Sequence, residues 1–150
     1  MRLYFFSILI IAAVAGCQIN DKKSGNNKTD KEQAAILKDS ANYTTIQWLD
    51  STHKDFGKIA EGQKLDVAFR FKNTGSKPLV ITRVQPSCGC TVAEQPNEPV
   101  APGKESIIKA FFNSEGRVGV NHKTLFVYAN TKGTSTSELK FEVEVEKKKW

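Results

Sequence analysis

Two thiols separated by a single glycine form the most reactive grouping in this chain, Pro86-Ser87-Cys88-Gly89-Cys90-Thr91. Thiolates act as nucleophiles, soft-metal ligands and disulfide partners, so three chemistries are open to the pair. The first is a local disulfide, or a pair of packed thiols. In an extended strand, residues two apart have Cα atoms near the ~6.8 Å upper limit for a disulfide, with poorly directed side chains. The bond therefore needs a sharp turn, which Gly89 makes possible because it can adopt φ > 0 at low cost. A bond closing so small a loop would be strained and easily reduced. The second chemistry is thiol redox or a mixed disulfide. The thioredoxin pattern, however, has two residues between its cysteines and precedes a helix, whereas here there is one, followed by a strand. The third is a soft-metal site for Cu(I) or Zn(II). Two thiolates are an incomplete zinc site, and nothing in the sequence sets the two imidazoles, His53 and His122, beside them.

The elements that must hold this motif read as strands and turns from Tyr43 onward. Leu65, Val67, Phe69 and Phe71 alternate with Asp66, Ala68, Arg70 and Lys72, and Leu139, Phe141, Val143 and Val145 alternate with Lys140, Glu142, Glu144 and Glu146. Period-2 alternation marks a sheet with one buried face. Segments 79–84, 106–112 and 124–129 are apolar at adjacent positions and read as central strands. Turn residues separate the runs at Asn73-Thr74-Gly75, Pro102-Gly103, Glu115-Gly116 and Lys132-Gly133. With a first strand near 44–49 and a short one near 91–93, about seven strands fall within roughly 100 residues. That pattern predicts an all-β, immunoglobulin-like antiparallel β-sandwich over residues 43–146. Its core is expected to rest on Phe69, Phe71, Phe111, Phe126 and Phe141. No cysteine lies in the second or sixth strand, so the inter-sheet disulfide of antibody domains is excluded.

The third cysteine belongs to a different part of the chain. Arg2 precedes an apolar run of about a dozen residues, 3–14, and Ala15-Gly16 lead into Cys17. A membrane-spanning helix needs roughly 20 residues, so residues 1–16 fit the apolar region of a signal peptide instead. A plain signal could be cut after Ala13-Val14-Ala15 and would need no cysteine. The small residues before Cys17 resemble the lipobox of bacterial lipoproteins. That resemblance implies removal of residues 1–16, lipidation of Cys17 and anchoring in the bacterial cell envelope. Gln18 does not suggest inner-membrane retention, which points to the outer membrane, on its periplasmic or surface face. Residues 17–42 are polar and read as a lipidated disordered tether, with a marginal helix within 30–39.

Charge excludes a nucleic-acid binder. The chain carries +6 formally, but residues 43–146 hold 13 basic and 12 acidic side chains, and much of the excess sits in Lys147-Lys148-Lys149. Nucleic-acid surfaces concentrate Lys and Arg with interleaved aromatics, and that pattern is absent. The basic tail, 147–150, reads as a solvated end that could also touch anionic lipid headgroups. No nucleophile elbow or phosphate loop occurs. Glu142, Glu144 and Glu146, like Glu94 and Glu98, fit solvated surface, so no catalytic residue and no cofactor is assigned.

A run of motifs in order carries a family resemblance: Asp55-Phe56-Gly57-Lys58-Ile59-Ala60-Glu61-Gly62, Phe71-Lys72-Asn73-Thr74-Gly75, Pro78-Leu79-Val80-Ile81, Ser87-Cys88-Gly89-Cys90-Thr91 and Pro99-Val100-Ala101-Pro102-Gly103. Residues 50–146 resemble the bacterial domain-of-unknown-function 1573 family, whose members are often envelope lipoproteins. The resemblance implies an immunoglobulin-like or pilus-chaperone-like sandwich and assigns no activity. The expected role is a non-enzymatic envelope module, anchored to the membrane through its N-terminal lipid and binding an envelope protein, with loop 86–103 as a contact surface. Thiol-redox or metal chemistry at Cys88-Gly89-Cys90 is the alternative. A carbohydrate-binding module, with Trp48, Trp150 and Tyr43 as the aromatic candidates, is a second.

Overall fold

In the computed structural model, residues 35–148 are described. The signal segment 1–16, the lipidation candidate Cys17, the tether up to residue 34 and Trp150 lie outside the described residues. Eight strands follow a short 3-10 turn at Ser40–Asn42: β1 (Ile46–Trp48), β2 (His53–Ala60), β3 (Lys64–Asn73), β4 (Ile81–Pro86), β5 (Thr91–Glu94), β6 (Glu105–Asn113), β7 (Gly119–Ala129) and β8 (Thr136–Glu146). They form two four-stranded sheets, ordered β1-β3-β6-β5 and β2-β8-β7-β4. This is the expected sandwich, and its core lies between the sheets. Val67, Phe69 and Phe71 of β3 face Leu139, Phe141, Val143 and Val145 of β8, all at 1% exposure or less. Each such side chain contributes about 1.5–3 kcal/mol on leaving water.

Two phenylalanines fall on the other face from the one expected. Phe112, not Phe111, enters the core, at 0% exposure. It stands edge-on to Phe141 with ring centroids 6.1 Å apart. Adjacent strand residues point to opposite faces, so Phe111 is turned outward. Phe126 is likewise only half-buried, between the inward Leu125 and Val127.

Segment 79–84 is not central, because β4 is an edge strand. Its run of adjacent apolar residues has a local cause. The register against β7 shifts between Ile81 and Arg83, so Ile81 and Thr82 are both buried, while Leu79 pairs with Val100 in an isolated bridge. The eighth strand, β2, lies in a segment whose charged residues hide the alternation. It pairs parallel with β8, with a shift between Asp55 and Lys58. Gly57 sits there with φ 63°, and its N–H donates to Asp55 Oδ1 at 2.8 Å. Such a bulge and exposed charges guard an edge against pairing with another chain.

The sandwich has two poles. At one, Asn130 Nδ2 donates to Asn42 O (2.7 Å) and Pro78 O (3.0 Å), tying the incoming N-terminal segment to the β3–β4 connection. Asn73, fully buried, braces the same pole. At the other lie the starts of β3 and β7, the ends of β6 and β8, and the β4–β5 connection that holds both cysteines. The ten residues of β3 run from one pole to the other, a span of about 30 Å.

Candidate functional site

Since β4 closes one sheet and β5 closes the other, residues 87–90 carry the chain between sheets. Both sides of this corner are fixed. The Ser87 N–H donates to Thr124 O (2.9 Å) and the Thr124 N–H to Ser87 Oγ (3.1 Å). The Asn113 N–H donates to Cys90 O at 3.0 Å. Within the corner, the Thr91 N–H donates to Cys88 O at 3.3 Å, closing a four-residue turn with Gly89 and Cys90 at its centre. The turn brings the Cα atoms of Cys88 and Cys90 to 5.4 Å, and their sulfurs are bonded.

Gly89 does not adopt the positive φ expected of it, and a Cβ there would meet nothing within 4 Å. A turn with ordinary φ at its central residues accepts most side chains. The chain reversal is set instead by the anchors at Ser87 and Cys90.

Beside the disulfide opens a groove of about 490 Å³, lined by Gly89, Cys90, Val92, Phe111, Lys64 and Arg117, among others. Val92 and Phe111 are cross-strand partners on the outer face, and Val92 is 62% exposed. The other sulfur, Cys88 Sγ, lies 3.8 Å from the hydroxyl of the buried Thr91.

Cations gather here. Pro86, the last residue of β4, pairs with Leu125, and beyond it the chain leaves the ladder for the turn that holds Cys88. Lys123 occupies an inward position of β7, with its ammonium 5.6 Å from the centroid of Phe112. Burial, and secondarily the charge of Arg117, push its pKa below the usual lysine value. Among the described residues, Lys64, Arg117 and Lys123 form no ion pair, whereas Lys54, Lys58, Arg70 and Lys140 each do.

The other sequence candidates stand apart. His53 is on β2, at the opposite edge of its sheet from β4. His122 is exposed and pairs with Glu142 at 3.0 Å, on the opposite face of β7 from Lys123. Among the described residues no three His, Cys, Asp or Glu side chains converge, so the thiols have no further ligands for zinc there. Lys58 bridges Glu144 and Glu146 at 3.5 and 2.7 Å, making the β8 carboxylates a solvated charge ladder. Half-buried Trp48 packs edge-on against Phe71 at 5.6 Å, and the Tyr43 hydroxyl donates to Leu37 O. Neither ring offers a flat exposed platform for a sugar. Sequence reasoning missed Lys123, Val92 and Phe111. The available signal was parity: Lys123 falls in step with Asn121, Leu125 and Val127, at a position a lysine normally avoids.

The fold is similar to that of a protein of unknown function from Porphyromonas gingivalis W83, with TM-score 0.61 and 18% identity over 70% of this chain and 48% of that one. The chain thus spans about half the length of that protein. It is also similar to the ASH / PapD-like domain 7 of human CEP192, with TM-score 0.54 and 8% identity over 72% of this chain and 89% of that one. At these identities the likeness is one of fold. No curated protein matches the chain by sequence. Residues 46–145 do match the family described as "Protein of unknown function (DUF1573)", and on that match over two thirds of its length the chain belongs to this family.

Proposed function

We propose that this protein is a non-enzymatic binding module of the bacterial cell envelope, anchored by lipid on Cys17, that engages a protein partner through the pole carrying Cys88 and Cys90. One observation carries the reading. The pole farthest from the incoming N-terminal segment holds an open, partly apolar groove beside the free edge of β5, floored by Val92 and Phe111. Soluble domains usually cover such pairs, and an uncovered one beside a free strand edge suits an extended peptide. Lys147 and Lys148 leave β8 at this same pole. The basic tail would then lie away from an N-terminal anchor, as a solvated end.

The test is a photo-crosslinking residue placed at position 92 in the native envelope, with position 47 on the far edge of the same sheet as control. A protein adduct is expected at 92 and not at 47. Recovery of lipid alone, or of the same species at both positions, overturns the binding reading. Anchoring is checked separately by labelling with a fatty-acid analogue. Cys17→Ala should abolish the label and release the protein from the membrane fraction, and unchanged labelling refutes lipidation.

A further inference from the structure

We propose that the Cys88–Cys90 disulfide is an electrophile for a partner thiolate: a cysteine on an extended, acidic partner segment lying in the groove attacks Sγ of Cys90 and is captured as a mixed disulfide. This rests on the reading of the groove as the partner site and names the chemistry of what it holds.

The direction of attack follows from the geometry. Cys90, half-buried against the core, lines the groove and Cys88 does not, so Cys90 is the cysteine an occupant meets. Cys88 Sγ is turned toward Thr91 Oγ1. In the step, the lone pair of the partner thiolate forms a new S–S bond to Cys90, and the Cys90–Cys88 bond breaks with its electron pair leaving on Cys88. One disulfide is lost and one is formed, so no external oxidant or reductant enters. The reverse attack by the Cys88 thiolate on Cys90 frees the partner unchanged.

The surroundings favour the leaving group. Exchange runs faster when the departing thiol has a lower pKa. The Thr91 hydroxyl, 3.8 Å from Cys88 Sγ, can donate to a Cys88 thiolate. Lys123 and Arg117 repel one another, with no carboxylate paired to either among the described residues. The groove wall itself carries Lys64 and Arg117 against one carboxylate, Glu115, and this positive excess selects the occupant: an acidic segment gains from it and a basic one is repelled.

The experiment uses the full oxidised chain and two synthetic ten-residue peptides, each with one central cysteine, flanked in one by Asp and Glu and in the other by Lys. Reactions are quenched in acid and followed by intact mass. The acidic peptide is expected to form the mixed disulfide at least tenfold faster at low salt. That advantage should shrink at ~1 M salt, where the screening length is about 3 Å. Combined Lys64→Gln and Arg117→Gln should abolish it. Peptide mapping should place the adduct on Cys90. In a Cys90→Ser background, Thr91→Val should raise the Cys88 thiol pKa, read by thiolate absorbance, and Thr91→Ser should restore it. Equal rates for the two peptides, an adduct on Cys88 or an unmoved thiol titration overturns the proposal. A serine analogue of the acidic peptide separates the two readings. If it binds while the cysteine peptide forms no adduct, exchange fails and the binding module stands. If neither it nor the crosslinker at position 92 registers a partner, both fail.

Discussion

Asn73 is where this fold is most exposed to a change of one atom. It is fully buried, and its side chain makes four hydrogen bonds. Oδ1 accepts from Thr44 Oγ1 (2.8 Å) and from the Gly75 N–H (3.1 Å). Nδ2 donates to Lys77 O and Val100 O, both at 2.8 Å. One amide thus ties β3 to the incoming chain, to the β3–β4 turn and to the bridge between Leu79 and Val100. At about 1 kcal/mol net per bond, Asn73→Ala should cost roughly 3–5 kcal/mol. For a domain of this size that is a drop of about 15–30 °C in melting temperature. Asn73→Asp is the sharper test because it keeps the shape and reverses one end. A carboxylate oxygen would face two carbonyl oxygens where an NH₂ now donates. At pH 7 the Asp variant should therefore be less stable than the Ala variant, despite losing no volume. Burial and the facing carbonyls raise the folded-state pKa of such a group, so its penalty develops as pH rises above the unfolded value of about 3.9 and fades below it. The assay is urea denaturation of wild type and both variants at pH 7 and pH 4. An Ala variant within 1 kcal/mol of wild type, or an Asp variant at least as stable as Ala at pH 7, would refute the reasoning.

Four further outcomes are expected. Gly89→Ala, despite its place in the motif, should change stability by no more than about 0.5 kcal/mol and leave the disulfide intact by mass, since the position is open and φ is ordinary. Gly75→Ala should cost about 1–3 kcal/mol or more by thermal melting, because a Cβ there would lie 2.7 Å from the Thr45 nitrogen and closer still to Thr44 Oγ1. Asp50 accepts from Arg70 Nε and Nη2, from the Arg70 N–H and from Lys54 Nζ, and Arg70 above all holds its carboxyl well below the usual carboxylate range. A depressed folded pKa stabilises above the unfolded value and is lost as pH falls through the folded one. The stability gap between wild type and Asp50→Asn should therefore be about 1 kcal/mol at pH 7, discounted for the exposed guanidinium, and should close between pH 5 and pH 2. Reducing Cys88–Cys90 should cost about 1.6 kcal/mol by the loop-entropy relation for three residues, so the reduced domain should stay folded by circular dichroism.

Elements that bury one face cleanly were legible in the sequence. In β8, every second residue from Leu139 to Val145 is apolar and every one of those is buried. β3 reads the same way. Alternation failed where two apolar residues stand side by side, because period 2 alone cannot say which of Phe111 and Phe112 turns inward. It failed again in β4, where a register shift buries Ile81 and Thr82 together, and in β2, whose edge position lets charged residues occupy a strand. At the candidate site the reactive pair was legible by residue type. Its surroundings were not, since Lys64 and Arg117 are distant from Cys90 in sequence and reach its groove only through the pairing of β3 with β6 and the turn that follows β6.

The two poles differ in how they are held, and the difference bears on what each can do. At the N-terminal pole, buried Asn73 and Asn130 have every polar side-chain atom hydrogen-bonded, and Gly75 sits where no side chain fits. Loss of any one of these would open a polar core, so that end is built to stay closed. The cysteine pole carries a disulfide spanning two residues, cations without counter-ions among the described residues and an uncovered valine. None of these contributes much to keeping the sheets together, and so small a ring can open at little cost to the fold. A protein that exchanges disulfides with a partner needs this arrangement, in which the reacting bond can break without the domain unfolding around it. If reduction instead melts the sandwich, the bond is structural, and the groove beside it cannot be a site of reversible exchange.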